Sequence, residues 1–188
     1  MHFPMTMLAL AATLLPTTTV AAPVADALAE YPSESNVHDG ALERRGPSGY
    51  VEVWNKCSFN VYFQQVAQQG NVGTVTFLPA NTKTGLYYQA SMDGVSLKAC
   101  KGTTTCSNPY QFEYTYDGDN GLVYYDLSAV NGDPFVAVNR RVYPSDGSGP
   151  TYHCNAGDTS NDCQFTNPTN GPVGAASANA ILTFQLCN

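Results

Sequence analysis

The sequence predicts an all-β fold of the sandwich or barrel kind, and three observations carry that expectation. From Gly49 onward, apolar and polar residues alternate in short runs bounded by turn residues. A period of two belongs to a strand with one buried and one wet face. Charged residues make up 12% of the chain, against about 25% in an ordinary soluble domain. The polar surface must then come from Thr, Ser, Asn, Gln and Gly, which suit turns and strands better than long helices with i,i+4 ion pairs. No helical periodicity runs long enough for a stable amphipathic helix, and no internal repeat is visible.

Tyr50 to Trp54 opens the series, with Val51 and Val53 alternating against Glu52 and Trp54. In the next run Phe59, Val61 and Phe63 alternate with Asn60, Tyr62 and Gln64. Val72 to Leu78 and Leu86 to Ala90 follow, rich in β-branched and aromatic residues. Val95 to Ala99 sets Val, Leu and Ala against Ser and Lys, and Tyr110 to Tyr116 places an aromatic at every second position. Leu122 to Leu127, Phe135 to Val142 and Ala180 to Leu186 complete the set. Such short strands at near-regular spacing argue against βαβ units. Asp117-Gly118-Asp119-Asn120-Gly121 reads as a hairpin turn, since Asp, Asn and Gly tolerate positive φ. Its alternating acids resemble the start of a calcium loop, but no Glu stands at the twelfth position and no flanking helices are expected.

The N-terminal third reads as processing signals. Met7 to Leu15 is an apolar run ending at Pro16, followed by Thr residues and the small Ala21 and Ala22. This is the pattern of a signal peptide over residues 1–21, too short to span a bilayer. An acidic stretch then runs to Arg44-Arg45, a dibasic pair that resembles a processing-protease site, so residues 22–45 read as a propeptide cut after Arg45. Residues 46–188 then form a single domain, expected to be monomeric and secreted, extracellular or wall-associated. The whole chain carries a net charge of −7, whereas from Gly46 onward 10 acids against 6 bases leave −4. A phosphate-backbone partner is therefore not expected, nor is a membrane span.

All six cysteines lie beyond residue 46, and an even count behind a signal peptide implies disulfides with 15 possible connectivities. Spacing favours two local loops, Cys100–Cys106 and Cys154–Cys163, leaving Cys57 for Cys187. A metal site is not expected, because no CxxC occurs and His153 is the one histidine of the domain. No cofactor is expected either.

Several segments together resemble one family. Tyr50-Val-Glu-Val-Trp-Asn-Lys-Cys57-Ser-Phe-Asn-Val-Tyr62 is similar to the opening of thaumatin-like proteins, and Phe77-Leu78-Pro79-Ala80-Asn81-Thr82 to their next strand end. Gln111-Phe112-Glu113-Tyr114-Thr115 and Tyr124-Tyr125-Asp126-Leu127-Ser128-Ala129-Val130-Asn131-Gly132 resemble the segments that supply the family's acidic cleft. Leu182-Thr183-Phe184-Gln185-Leu186-Cys187 resembles its last strand. The short chain and six cysteines point to the small fungal branch, the CetA-like or Blastomyces yeast-phase-specific secreted proteins. The resemblance implies a thaumatin-like β-sandwich with an acidic groove, and supports Cys57–Cys187 by position.

It also implies a ligand class, cell-wall polysaccharide of the β-1,3-glucan type. The expected binding residues are Glu113, Asp126, Asp133 and Tyr124, with Glu113 and Asp126 the candidates should the groove hydrolyse glucan. The family cleft uses one Arg, one Glu and three Asp; here Asn131 stands at the next acid's position, Asp133 lies two residues on, and no Arg precedes Glu113. These departures weigh against an enzyme more than against a binder. An alternative is an antigen, effector or antimicrobial acting on an extracellular host or microbial target. Glu113 shares a strand face with Gln111 and Thr115. Pairing about the turn with residue numbers summing to 238 or 240 sets Asp126 opposite Phe112 or Tyr114, one step from Glu113, unless the register shifts.

Overall fold

The computed structural model describes residues 49–188 apart from 68–69, 72, 90–93 and 106. Cleavage at Ala21 and Arg45 and the Cys106 half of the Cys100–Cys106 pair lie outside the described residues. Within them are twelve strands and no helix. In chain order these are β1 (Tyr50–Asn55), β2 (Val61–Ala67), β3 (Gly70–Asn71), β4 (Thr76–Leu78), β5 (Thr82–Tyr87) and β6 (Val95–Lys101). Then come β7 (Tyr110–Asp117), β8 (Leu122–Ser128), β9 (Arg140–Pro144), β10 (Tyr152–Cys154), β11 (Gly174–Ser177) and β12 (Leu182–Leu186).

Two sheets pack face to face. One has five strands in the order β10-β9-β12-β1-β5. The other has seven, β11-β8-β7-β6-β2-β3, with β4 also pairing β2. Alternation decides which side chains meet between them: Val51 and Val53 of β1, Phe112 of β7, Leu127 of β8 and Phe184 of β12 are fully buried. The rings of Phe112 and Phe184 stack across the interface at 5.6 Å between centroids. First and last strands run parallel at the heart of the smaller sheet, Val53 beside Phe184. Gly49 enters this pairing where a Cβ would fall 2.4 Å from the Ala180 carbonyl oxygen, so a larger residue would push the strands apart.

The Cys57–Cys187 and Cys154–Cys163 disulfides are both formed. The first closes the ends of β1 and β12. Beside it, the buried Asn55 side chain donates to the carbonyls of Phe59, Leu78 and Pro79 and accepts from the Cys57 amide. That bonding explains why an Asn ends a strand whose other inward residues are valines: the chain turns here and its backbone groups need a partner.

Three strand bounds differ from the sequence pattern. The Val72 to Leu78 run yields β4 at Thr76–Leu78, while the two-residue β3 stands apart; both lie along one edge of β2. The strand expected at Leu86 to Ala90 begins earlier, at Thr82, because its partner β1 extends pairing from Tyr50↔Tyr87 to Asn55↔Thr82. Phe135 to Val138 is a turn closed by Val138 N–H to the Phe135 carbonyl, and the strand starts only at Arg140. β10 and β11 carry no clear alternation. β11 is built of small residues because a Cβ at Gly174 would meet the Tyr125 ring at 2.8 Å.

Candidate functional site

The outer face of the seven-stranded sheet carries the candidate site. Four residues join β7 to β8, so Asp117 closes on Leu122 and paired residue numbers sum to 239. Gly121 at φ 65° takes the left-handed conformation this loop needs. Asp117 also accepts from the backbone N–H and side-chain amide of Asn120, which closes the turn. Among the described residues no cluster of three or more His, Cys, Asp or Glu could hold a metal ion. The even loop corrects the expected register by one residue. Glu113 stands directly opposite Asp126, both pointing away from the core.

β6 extends the row, with Ser96 paired to Glu113, and the next row runs Lys98, Gln111 and Ser128. A groove of 480 Å3 opens over Ser96, Lys98, Gln111, Glu113 and Asp126, and Tyr124 and Val173 also line it. A second hollow of 320 Å3 shares Gln111, Glu113 and Asp126 and reaches Asn131 and Pro168. The acid pair thus lies where the two meet. Gln111 organises the floor: its Oε1 accepts from Ser96 Oγ and Asn131 Nδ2, and its amide donates to Ser128 Oγ. Ser96, Lys98 and Ser128 do not stand out in the sequence. Their signal is being the polar alternate positions of strands flanking Glu113.

Burial and the neighbouring Glu113 charge push the Asp126 carboxyl up to about 7. Glu113 is also raised, chiefly by burial, while Ser128, Lys98 and Ser96 favour its charged form. Asp126 Oδ1 is buried and accepts no hydrogen bond. Because the raised carboxyl holds its proton longer in the folded state than unfolded, stability falls as pH rises from the ordinary Asp range through about 7. Denaturant midpoints are expected to drop between pH 4.5 and 7.5 in the wild type, and Asp126→Asn should flatten that slope and raise stability at the upper end. An unchanged slope would refute the assignment.

The other expected residues sit differently. Tyr124 lines the groove at its edge, 38% exposed. Asp133 does not line it; this carboxylate faces inward, 2.9 Å from the guanidinium of the buried Arg140, and accepts from the Phe135 amide. Asn131 fills the groove position instead. His153 is exposed on β10, paired with Arg141.

The Blastomyces yeast-phase-specific protein family, Bys1, matches residues 45–188. The chain belongs to this family. The Bys1 match starts at the second arginine of the dibasic pair and covers every strand. An antigenic thaumatin-like protein of Arthroderma benhamiae is 31% identical over 118 residues, 60% of this chain and 56% of that relative. The chain therefore matches little more than half the length of that protein. In fold, the Bys1 domain is similar to the protein elicitor MoHrip2 from Magnaporthe oryzae, with TM-score 0.64 and 23% identity over 74% of this chain and 99% of the other. It is also similar to the thaumatin-like xylanase inhibitor TLXI, at TM-score 0.53 and 16% identity over 73% and 99%. The thaumatin-like sandwich is thus the fold of this Bys1 protein, and its disulfides accord with an extracellular setting.

Proposed function

We propose that the protein is secreted, processed to residues 46–188, and binds a neutral cell-wall polysaccharide of the β-1,3-glucan type along the Glu113–Asp126 groove. The observation that carries this reading is the unpartnered Asp126 Oδ1 on the groove floor, beside Glu113. A buried acceptor without a donor costs about 1–3 kcal/mol, and a sugar hydroxyl is a donor of the right size to relieve it. Lys98, Ser96 and Gln111 add further polar contacts, and the Tyr124 ring supplies a face for a pyranose.

Insoluble β-1,3-glucan should retain the secreted material, whose first residue should be Gly46. Glu113→Gln and Asp126→Ala should each weaken retention about tenfold, the equivalent of one charged hydrogen bond. Equal retention of wild type and both variants, or none of any, would sink the proposal.

Hydrolysis is the second reading, favoured by the direct opposition of two carboxyls, one of them raised to about 7. A retaining glycosidase needs an acid and a nucleophile flanking one bond. Here Asn131 lines the hollow where the family cleft has a further acid, so binding is preferred. Absence of reducing sugar from laminarin at pH 4 to 6 would dismiss hydrolysis while leaving the binding test intact.

A further inference from the structure

The outer face of the five-stranded sheet, on the opposite side of the sandwich, has a different chemistry. Register places Lys83, Trp54, Gln185 and Arg141 in one row across β5, β1, β12 and β9. The row spans about 14 Å at the usual strand spacing of about 4.8 Å. The Lys56 ammonium lies 4.3 Å and that of Lys83 5.5 Å from the centre of the Trp54 ring. At the other end, the Arg141 guanidinium stacks 4.1 Å from the Tyr143 ring. Three of the domain's six basic side chains therefore gather on one face, while Arg140 is buried in the interior.

An acid balances only one of them. Glu52 bridges Lys83 at 2.8 Å, and the other ion pair among the described residues is Arg140–Asp133. Among the described residues, Lys56 and Arg141 thus have no carboxylate within bridging distance, and Arg141 Nε is buried with no acceptor there. Aromatic rings hold these cations in place without neutralising them. The face is prepared for an anion.

We propose that this face binds an acidic polysaccharide, a chain of uronic acid residues whose carboxylates are taken by Lys56 and Arg141, with the Glu52-paired Lys83 at the edge of the row. Charge complementarity selects the ligand. A guanidinium held over the Tyr143 ring offers paired donors to a carboxylate, and the length of the row favours an oligomer over a single sugar. Three cations on a domain of net charge −4 are too few for strong binding to a nucleic-acid backbone. The site is independent of the Glu113–Asp126 groove.

Trp54 is the only tryptophan of the chain, so its emission reports on this face and not on the groove. Titrating the full chain with polygalacturonate is expected to give a saturable change in that emission. The methyl ester of the same polymer, with the rings but not the charges, should give none. Lys56→Gln and Arg141→Lys, both chosen to keep a long side chain in place, should each weaken polygalacturonate binding about tenfold, whereas Glu113→Gln should leave it unchanged. Absence of a saturable change would overturn the proposal. So would an equal response to the methyl ester, to duplex DNA or to phosphatidylglycerol vesicles. Concentration-dependent dimerisation lost in the same variants would assign the face to a second copy of the chain and overturn it equally.

Discussion

Replacing both Cys57 and Cys187 with Ser is expected to lower unfolding free energy by about 5 kcal/mol, the entropy of closing so long a loop in the unfolded chain. The bond spans 130 residues. It also joins the ends of the two strands that form the centre of the five-stranded sheet, where Lys56 N–H donates to the Leu186 carbonyl and Cys187 N–H to that of Asn139. Removing Cys154–Cys163, a separation of 9, should cost only about 2.7 kcal/mol on the same reasoning. Guanidinium unfolding of the two double variants checks the order. A domain of this size is typically stable by about 5–15 kcal/mol, so the first variant should lose about a third or more of its stability. A loss below that of the Cys154–Cys163 variant would show that residual structure in the unfolded chain, not loop entropy, governs these bonds.

Arg140→Met is expected to destabilise by about 3–5 kcal/mol, the usual cost of leaving a buried charge without its partner. Arg140 is fully buried. Its guanidinium donates to the carbonyls of Val138, Asn155 and Asp158 and to Gln164 Oε1, and pairs with Asp133. One side chain thus ties the turn before β9 to the loop closed by Cys154–Cys163. Burial already raises the Asp133 carboxyl, and Arg140 opposes that rise. Without Arg140, Asp133 should protonate more readily, so the variant should lose less stability at low pH than at pH 7. Arg140→Met with Asp133→Leu should recover part of the loss, but not the part due to orphaned carbonyls. Thermal or denaturant unfolding of this double-mutant cycle measures both. Full additivity would mean that Arg140 and Asp133 do not act on each other.

Asp133 also shows where the sequence misleads about the site. It lies two residues beyond the cleft acid's position and was the nearest acid to it, yet its partner is an arginine in the next strand, and no linear pattern reveals that a neighbouring Arg points inward. Glu113 was legible as an outward acid and Asp126 only as an acid on the adjacent strand. Their direct opposition was not, because it depends on whether the loop holds an odd or even number of residues, and Asp-Gly-Asp-Asn-Gly permits both. Ser96 and Lys98 were invisible as site residues for a related reason. A strand's outer face says nothing about which strand lies beside it.

The cationic face was still less accessible. Trp54, Lys83 and Arg141 are scattered through the sequence, and only the parallel pairing of β1 with β12, and of β12 with β9, sets them in one row.

The sequence by itself determined the class of fold, through period-two alternation that can bury one face of each strand, and the Cys57–Cys187 bond was the pair that spacing and family likeness left together. Tertiary structure alone decided strand order, the β7–β8 register and the charge of each outer surface. Alternation is a local property that a few residues of chain express. Which strands become neighbours depends on contacts between residues far apart in sequence, and only folding brings those side chains within reach of one another.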